Sequence, residues 1–179
     1  MKNDYEIRGN VTAVYIRYKG RLLETIVDTE DLPLLLNSEF SWYAKYAKSN
    51  KSLYVVGYGI KRNGKQKHIF LHRLLMGDPK GKLVDHINNN TLDNRRSNLR
   101  LATVSQNLQN RKGVTSHNTS GYRGVSFDKE CGKYRAYIRI NNKLIHLGRF
   151  DTAVEAARAA SAARKKYMPY SKEARKLEG

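Results

Sequence analysis

The segment VDHINNNTLDNRRSNLRLATVSQN, residues 84–107, gathers side chains able to hydrolyse a phosphate ester. Such a reaction needs a base for the attacking water and a cation to neutralise the charge growing on phosphate and leaving oxygen. A neutral imidazole suits the first task, because its ordinary pKa of about 6.5 leaves much of it unprotonated near neutrality. A carboxylate and an amide oxygen suit the second: such hard donors favour Mg2+ or Mn2+ and leave coordination positions for phosphate oxygens and water. Asp85, His86, Asn98 and Asn107 supply these groups. The same residue types also build hydrogen-bonded loops, so DHINNN reads equally as a polar turn ahead of a capped helix. His72, beside Leu71, Leu74 and Leu75, reads as a packed histidine bracing the site rather than as a ligand.

The elements around these residues follow from local signals. Leu83 to Ile87 and Ser97 to Leu101 are strand candidates flanking a polar loop, residues 88–94. Thr103 with Gln106 forms a capping box that opens a helix, with Asn107 in its second turn. Adjacent strand residues point to opposite faces, so Asp85 and His86 share a site only if the strand end twists or bulges. The Asp-His pair, followed by SNLR and SQN, resembles the HNH homing endonucleases over residues 72–111. Their catalytic unit is the ββα-metal fold. The resemblance implies that Asp85 and Asn107 bind the metal, that His86 is the general base, and that Asn98 orients the histidine or supports the scissile phosphate. Arg95 and Arg96, in the connecting loop, suit phosphate contact or a solvated loop equally, with Arg100 next in order.

Beyond residue 120 three strand signals, Tyr122 to Phe127, Lys133 to Ile140 and Lys143 to Leu147, precede a helix opened by Thr152 and Glu155 and running to Tyr167. Alternation puts Ala136, Ile138 and Ile140 on one face of the middle strand and Arg135, Tyr137 and Arg139 on the other. If Asn141-Asn142 makes a two-residue turn, Arg139 faces Leu144 and Tyr137 faces His146. Ile138, Ile145 and Leu147 are then available for burial, against a helix stripe of Ala153, Ala156, Ala157, Ala160 and Ala163 with Tyr167 at its end. YRGV, GKYRAYI, LGRF and DTAVEAARA resemble the APETALA2-type DNA-binding domain, whose exposed sheet face lies in the major groove. On that resemblance Arg123, Arg135, Tyr137, Arg139 and His146 contact DNA, each arginine by a guanine edge or a phosphate. Ser126 and Asp128 stand where further arginines are usual, and His146 where tryptophan is usual, so plant-like base preference is not expected.

Charge separates the chain into parts. Through Asn50 seven basic residues balance seven acidic ones; residues 51–100 carry eleven against three, and 101–179 sixteen against six, which makes the total +18. Such a field attracts a polyanion, and the expected partner is double-stranded DNA. The single cysteine, Cys131, excludes an internal disulfide and a multi-thiolate zinc site. The amino terminus has no apolar signal core and no run approaches the roughly 18 apolar residues of a membrane span, so the expectation is a soluble, cytoplasmic protein with no membrane partner.

The expected fold is α+β in three parts. A mainly β N-terminal region of unassigned role covers residues 1–71, with strand pairs around Lys19-Gly20 and Asn63-Gly64 and a short helix starting near Pro33. The HNH unit covers 72–111, a linker rich in Gly, Ser, Thr and Asn 112–120, the sheet-plus-helix domain 121–167, and a basic tail 168–179. The expected function is a metal-dependent endonuclease acting on double-stranded DNA, with a single-strand nick at a preferred site as one form of the reaction, Mg2+ or Mn2+ as cofactor and no structural zinc. The rival is a noncatalytic DNA-binding regulator. Fusion of these two modules also resembles phage and mobile-element endonucleases, which implies a phage-encoded protein acting inside a bacterial host.

Overall fold

The computed structural model describes residues 1–110, 113–114 and 117–174. Arg111, three residues of the expected linker (112, 115 and 116) and residues 175–179 of the expected tail lie outside the described residues. The chain is α+β and forms two compact units, Met1–Leu101 and a second that begins at Ala102.

The first unit is built on a six-stranded sheet of β1 (Tyr5–Arg8), β2 (Val11–Tyr18), β3 (Arg21–Asp28), β4 (Ser41–Ala47), β5 (Ser52–Arg62) and β6 (Lys65–Phe70). The order is β1-β2-β4-β5-β6, with β3 also paired to β2. The hairpin turns fall where Gly follows a residue tolerant of left-handed backbone: Lys19-Gly20 (φ 48° and 78°) and Asn63-Gly64 (φ 48° and 75°). Two consecutive positive φ angles match the right-handed twist of the strands they join. The short helix α1 (Leu32–Leu36) carries Pro33 in its first turn, where no hydrogen bond is lost. β1, β4 and a second short helix, α2 (Leu71–Leu75), are elements that local pattern alone does not single out.

One core joins this sheet to the motif-bearing segment. Val14, Ile16, Val27, Leu35, Phe40, Trp42 and Val55 pack with Leu71, Leu75 and Leu99. Burying each such side chain is worth roughly 1.5–3 kcal/mol. Gly57 makes room for Trp42: a Cβ there would lie 2.7 Å from the indole ring. The paired strands β7 (Leu83–His86) and β8 (Leu99–Ala102) flank the polar loop. Asn98 is not on a strand, as its spacing suggests, but closes a 3-10 turn, Arg96–Asn98, that brings the chain back to β8. Its carbonyl still accepts the Ile87 N–H at 2.8 Å.

The loop is pinned to the N-terminal sheet. Ile26 N–H donates to the Leu92 carbonyl (3.0 Å) and Asn94 N–H to the Ile26 carbonyl (2.8 Å), a short parallel pairing with β3. The Thr91 hydroxyl donates to the Leu53 carbonyl on β5. Arg96 N–H donates to Asp28 at 2.7 Å, and its guanidinium grips buried Asp31 bidentately, closest contact 2.6 Å.

In the second unit α3 (Val104–Gln109) starts at the capping box that its sequence announces: Thr103 Oγ1 accepts the Gln106 N–H and Gln106 Oε1 accepts the Thr103 N–H. Strands β9 (Val125–Asp128), β10 (Lys133–Ile140) and β11 (Lys143–Phe150) form an antiparallel sheet with β10 central, and α4 (Ala153–Tyr167) packs on it. Asn141 and Asn142 adopt φ of 47° and 63°, and the register pairs Arg139 with Leu144 and Tyr137 with His146, as alternation requires. Val125, Ala136, Ala156 and Ala160 form one cluster; Ile138, Ala163 and Met168 form another.

Four details differ from the sequence-based expectation. β9 begins at Val125 because Tyr122 to Gly124 form a turn. Ile145 is 41% exposed, and Tyr167 50% exposed with Met168 buried in its place. β11 runs on to Phe150, because a bulge at Leu147 lets Ala136 pair with Gly148 (φ 131°) and Arg135 with Arg149.

Candidate active site and DNA-binding face

Asp85 and His86 end β7 and are both buried, at 8% and 4% exposure. They are taken up by different partners. Arg100, across on β8, donates to Asp85 Oδ2 through Nε (3.0 Å) and Nη2 (2.8 Å), anchoring the carboxylate by one oxygen. His86 Nε2 lies 3.2 Å from Oδ1 of Asn94, whose side chain is fully buried. Burial holds the His86 pKa below its ordinary value, opposed by the Asn94 hydrogen bond and by the carboxylates of Asp85 and Asp93. The ring is therefore neutral near pH 7, the form in which an imidazole can accept a proton.

Aromatic groups wall this ring. His72, from α2, meets it edge on with centroids 5.0 Å apart, and Tyr54, from β5, lies 6.1 Å away. His72 is buried, and desolvation, then the neighbouring His86 and Arg73, lowers its pKa to about 3. Tyr54 belongs to a region with no chemical motif, and only the tertiary fold reveals it as part of the site.

The Asn98 side chain is engaged within the loop. Its Nδ2 donates to the Asp93 carbonyl (2.7 Å) and its Oδ1 accepts the Asn88 N–H (2.8 Å), so it holds the loop shut. Asn94 is the amide on the histidine, a residue that sequence reasoning passed over as part of a polar loop. Asn107 stands on α3, in the second unit, and its N–H donates to the Thr103 carbonyl. Arg95 is spent on Asp93, with bonds of 2.9 and 2.8 Å, and Arg96 on Asp31; both brace the loop.

The donor chemistry fits a hard divalent ion. Asp85 offers a carboxylate oxygen and Asn107 an amide oxygen, both of the class Mg2+ and Mn2+ prefer. Among the described residues no three His, Cys, Asp or Glu side chains group as a metal cage.

On the outer face of the second unit's sheet stand Arg135, Tyr137, Arg139 and His146, joined by Arg149, which the bulge turns outward. Asp128 lies between two of the arginines, 3.5 Å from Arg135 and 3.3 Å from Arg149. Arg139 is exposed, with Nη1 on the Asn142 carbonyl at 3.2 Å. Arg123 is turned inward instead: its guanidinium donates to the carbonyls of Gln109 (3.0 Å) and Leu108 (3.2 Å), capping α3. Among the described residues no helix is long and apolar enough to cross a membrane.

A buried carboxylate–imidazole pair before a braced polar loop, followed by a basic sheet backed by one helix, defines a nuclease joined to a DNA-binding module. Comparison with known proteins gives the family. The HNH endonuclease pattern matches residues 65–109 and the AP2 domain pattern residues 120–168. An HNH endonuclease of Acanthamoeba polyphaga mimivirus is 32% identical over 146 residues, 80% of this chain and 70% of that protein. Protein 3.8 of Escherichia phage T7 is 42% identical over 65 residues, 36% of this chain and 53% of that protein. A second mimivirus protein is 31% identical over 105 residues, covering 55% of this chain and 29% of its own length. No solved structure matches the chain. The chain belongs to the HNH endonuclease family and carries an AP2 domain after its nuclease segment.

Proposed function

We propose that this HNH endonuclease hydrolyses phosphodiester bonds of double-stranded DNA with the help of Mg2+ or Mn2+, nicking one strand at a preferred site. The observation that carries the reading is His86: buried, neutral and held by Asn94, directly after Asp85 in the chain. Asp85 and Asn107 would hold the ion, which when bound supplies positive charge against the phosphate and leaving oxygen. His86 takes the proton from the attacking water. Asn98, in this role, keeps the loop closed so that His86 and Asp85 hold their positions.

The AP2 sheet binds the duplex through Arg135, Tyr137, Arg139, His146 and Arg149, with the +10 charge of residues 101–179 supplying the salt-sensitive part of the affinity. Arg95, Arg96, Arg100 and Arg123 act mainly by bracing the protein, because their guanidinium groups engage carboxylates or helix carbonyls. The mimivirus and phage relatives support a protein encoded by a virus or another mobile element and working where DNA is accessible.

Sequencing the ends released from a randomised duplex library, with Mg2+ or Mn2+ and with EDTA, tests activity, site and strand together. Metal-dependent ends within one preferred context are expected. An end distribution identical to the EDTA control would overturn the reading.

A further inference from the structure

The hydrogen bonds behind His86 have a fixed direction, and they begin in the N-terminal sheet. Thr25, on β3, is fully buried, and its Oγ1 lies 2.7 Å from the Leu92 carbonyl. A carbonyl oxygen only accepts, so the single hydroxyl hydrogen of Thr25 is committed to Leu92. The Thr25 oxygen must then accept from its other neighbour, the Asn94 amide nitrogen at 2.9 Å. The Thr91 carbonyl, 3.4 Å from the same nitrogen, is a longer and weaker acceptor on the same side, which agrees with this orientation but does not fix it without Thr25. The oxygen of the Asn94 amide therefore faces His86 Nε2 at 3.2 Å, and it too can only accept.

We infer that Thr25 and Asn94 are positioning residues that fix the ring tautomer of His86, with the hydrogen on Nε2 and the proton-accepting lone pair on Nδ1. The inference rests on the nuclease reading for its consequence in catalysis, but not for its structural content. Thr25 and Asn94 are at 0% exposure, so water does not compete for these bonds and their direction is well defined. The Leu92 carbonyl that orients Thr25 also accepts the Ile26 N–H, so the relay is part of the pairing that docks the loop on β3. This gives the N-terminal sheet a role in the chemistry: it sets which nitrogen of the base is bare. A flipped Asn94 amide would present N–H to Nε2 and favour the opposite tautomer.

Ring 15N chemical shifts of His86 in the full-length protein at pH 8 read the tautomer directly. The wild-type chain is expected to show the Nε2–H form. Thr25→Val, which keeps the shape and removes the hydroxyl, is expected to give a mixture of tautomers. In cleavage of a plasmid with Mn2+ it should lower kcat about tenfold with KM unchanged, the scale of one lost buried hydrogen bond. Thr25→Ser keeps the hydroxyl and should restore both the shift pattern and kcat. An Nδ1–H ring in the wild-type chain would overturn the inference, whether or not Thr25→Val folds. So would a Thr25→Val protein with unchanged tautomer and kcat. A wild-type Nε2–H ring in a chain that cleaves no DNA would support the relay while removing the nuclease reading.

Discussion

The rings of His72 and His86 meet edge on, 5.0 Å between centroids with an interplanar angle of 70°, and both are buried. Charging either would place a cation in a desolvated site against the other, which is why burial takes the His72 pKa down to about 3. A histidine in the unfolded chain titrates near 6.5, so below that pH the unfolded state takes up a proton that the folded state refuses. The stability supplied by neutral His72 is complete above about pH 6.5 and is lost as pH falls toward 3, with a slope of at most about 1.4 kcal/mol per pH unit. Urea midpoints measured from pH 7.5 to 4.5 should fall steadily in the wild-type chain and less steeply in His72→Leu. Parallel slopes would show that His72 does not carry this acid sensitivity.

Arg96 tests whether the loop arginines hold the protein or the DNA. Asp31 is 5% exposed at its side chain and Arg96 46%, so the pair is half-screened and worth less than a buried one. Arg96→Ala should cost about 1–2 kcal/mol, because it leaves Asp31 buried without its bidentate partner. Asp31→Ala combined with Arg96→Ala should cost less than the sum of the two. DNA affinity at fixed salt should be nearly unchanged; a fall in affinity and in its salt dependence, with stability intact, would place Arg96 on phosphate instead.

Asp128 lies between Arg135 and Arg149 on the sheet face proposed to bind DNA. Its carboxylate accepts from Arg149, lies at ion-pair distance from Arg135, and offsets part of their charge. Asp128→Asn should raise duplex affinity several-fold and steepen the decline of log K with log salt. Weaker binding would mean that presentation of the two arginines matters more than their net charge.

Gly124 sits in the turn before β9 with φ of 76°, and a Cβ there would press on the Tyr137 carbonyl oxygen. Gly124→Ala combines left-handed strain with a backbone clash, for a cost of roughly 2 kcal/mol or more. Because the Gly124 carbonyl also accepts the Tyr137 N–H at 2.8 Å, the loss should appear as weaker DNA binding as well as a lower Tm. A Tm within the error of the wild-type value would count against the turn geometry.

Much of this was legible in the sequence, for identifiable reasons. The β10/β11 register follows from alternation and a two-residue Asn-Asn turn, both local, and the capping boxes at Thr103 and Thr152 are four-residue signals. The Asp85-His86 pair was legible through its family resemblance. Asn94 was not, because what distinguishes it from its neighbouring asparagines is Thr25, 69 residues away. Arg149 was missed because alternation from His146 assumes an unbroken ladder, whereas the bulge at Leu147 changes which face follows. Arg95 and Arg96 suited phosphate contact or a solvated loop equally in the sequence, because the Asp31 that Arg96 grips is 65 residues away and the neighbouring Asp93 carries no signal that it pairs with Arg95. Asn98 fell outside the expected strand because the polar loop ends in a 3-10 turn.

If His86 serves a hydrolytic centre rather than a structural one, DNA cleavage depends on it while DNA binding does not. Conversion of supercoiled plasmid to nicked or linear DNA, with Mg2+ or Mn2+ and with EDTA, tests it most directly when wild type and His86→Ala are shown by gel shift to bind DNA equally. Metal-dependent cleavage by the wild type, abolished by EDTA and lowered by about a hundredfold or more in His86→Ala, is the predicted result. DNA binding by both proteins with cleavage by neither, in every metal condition, would contradict the claim and leave a noncatalytic regulator.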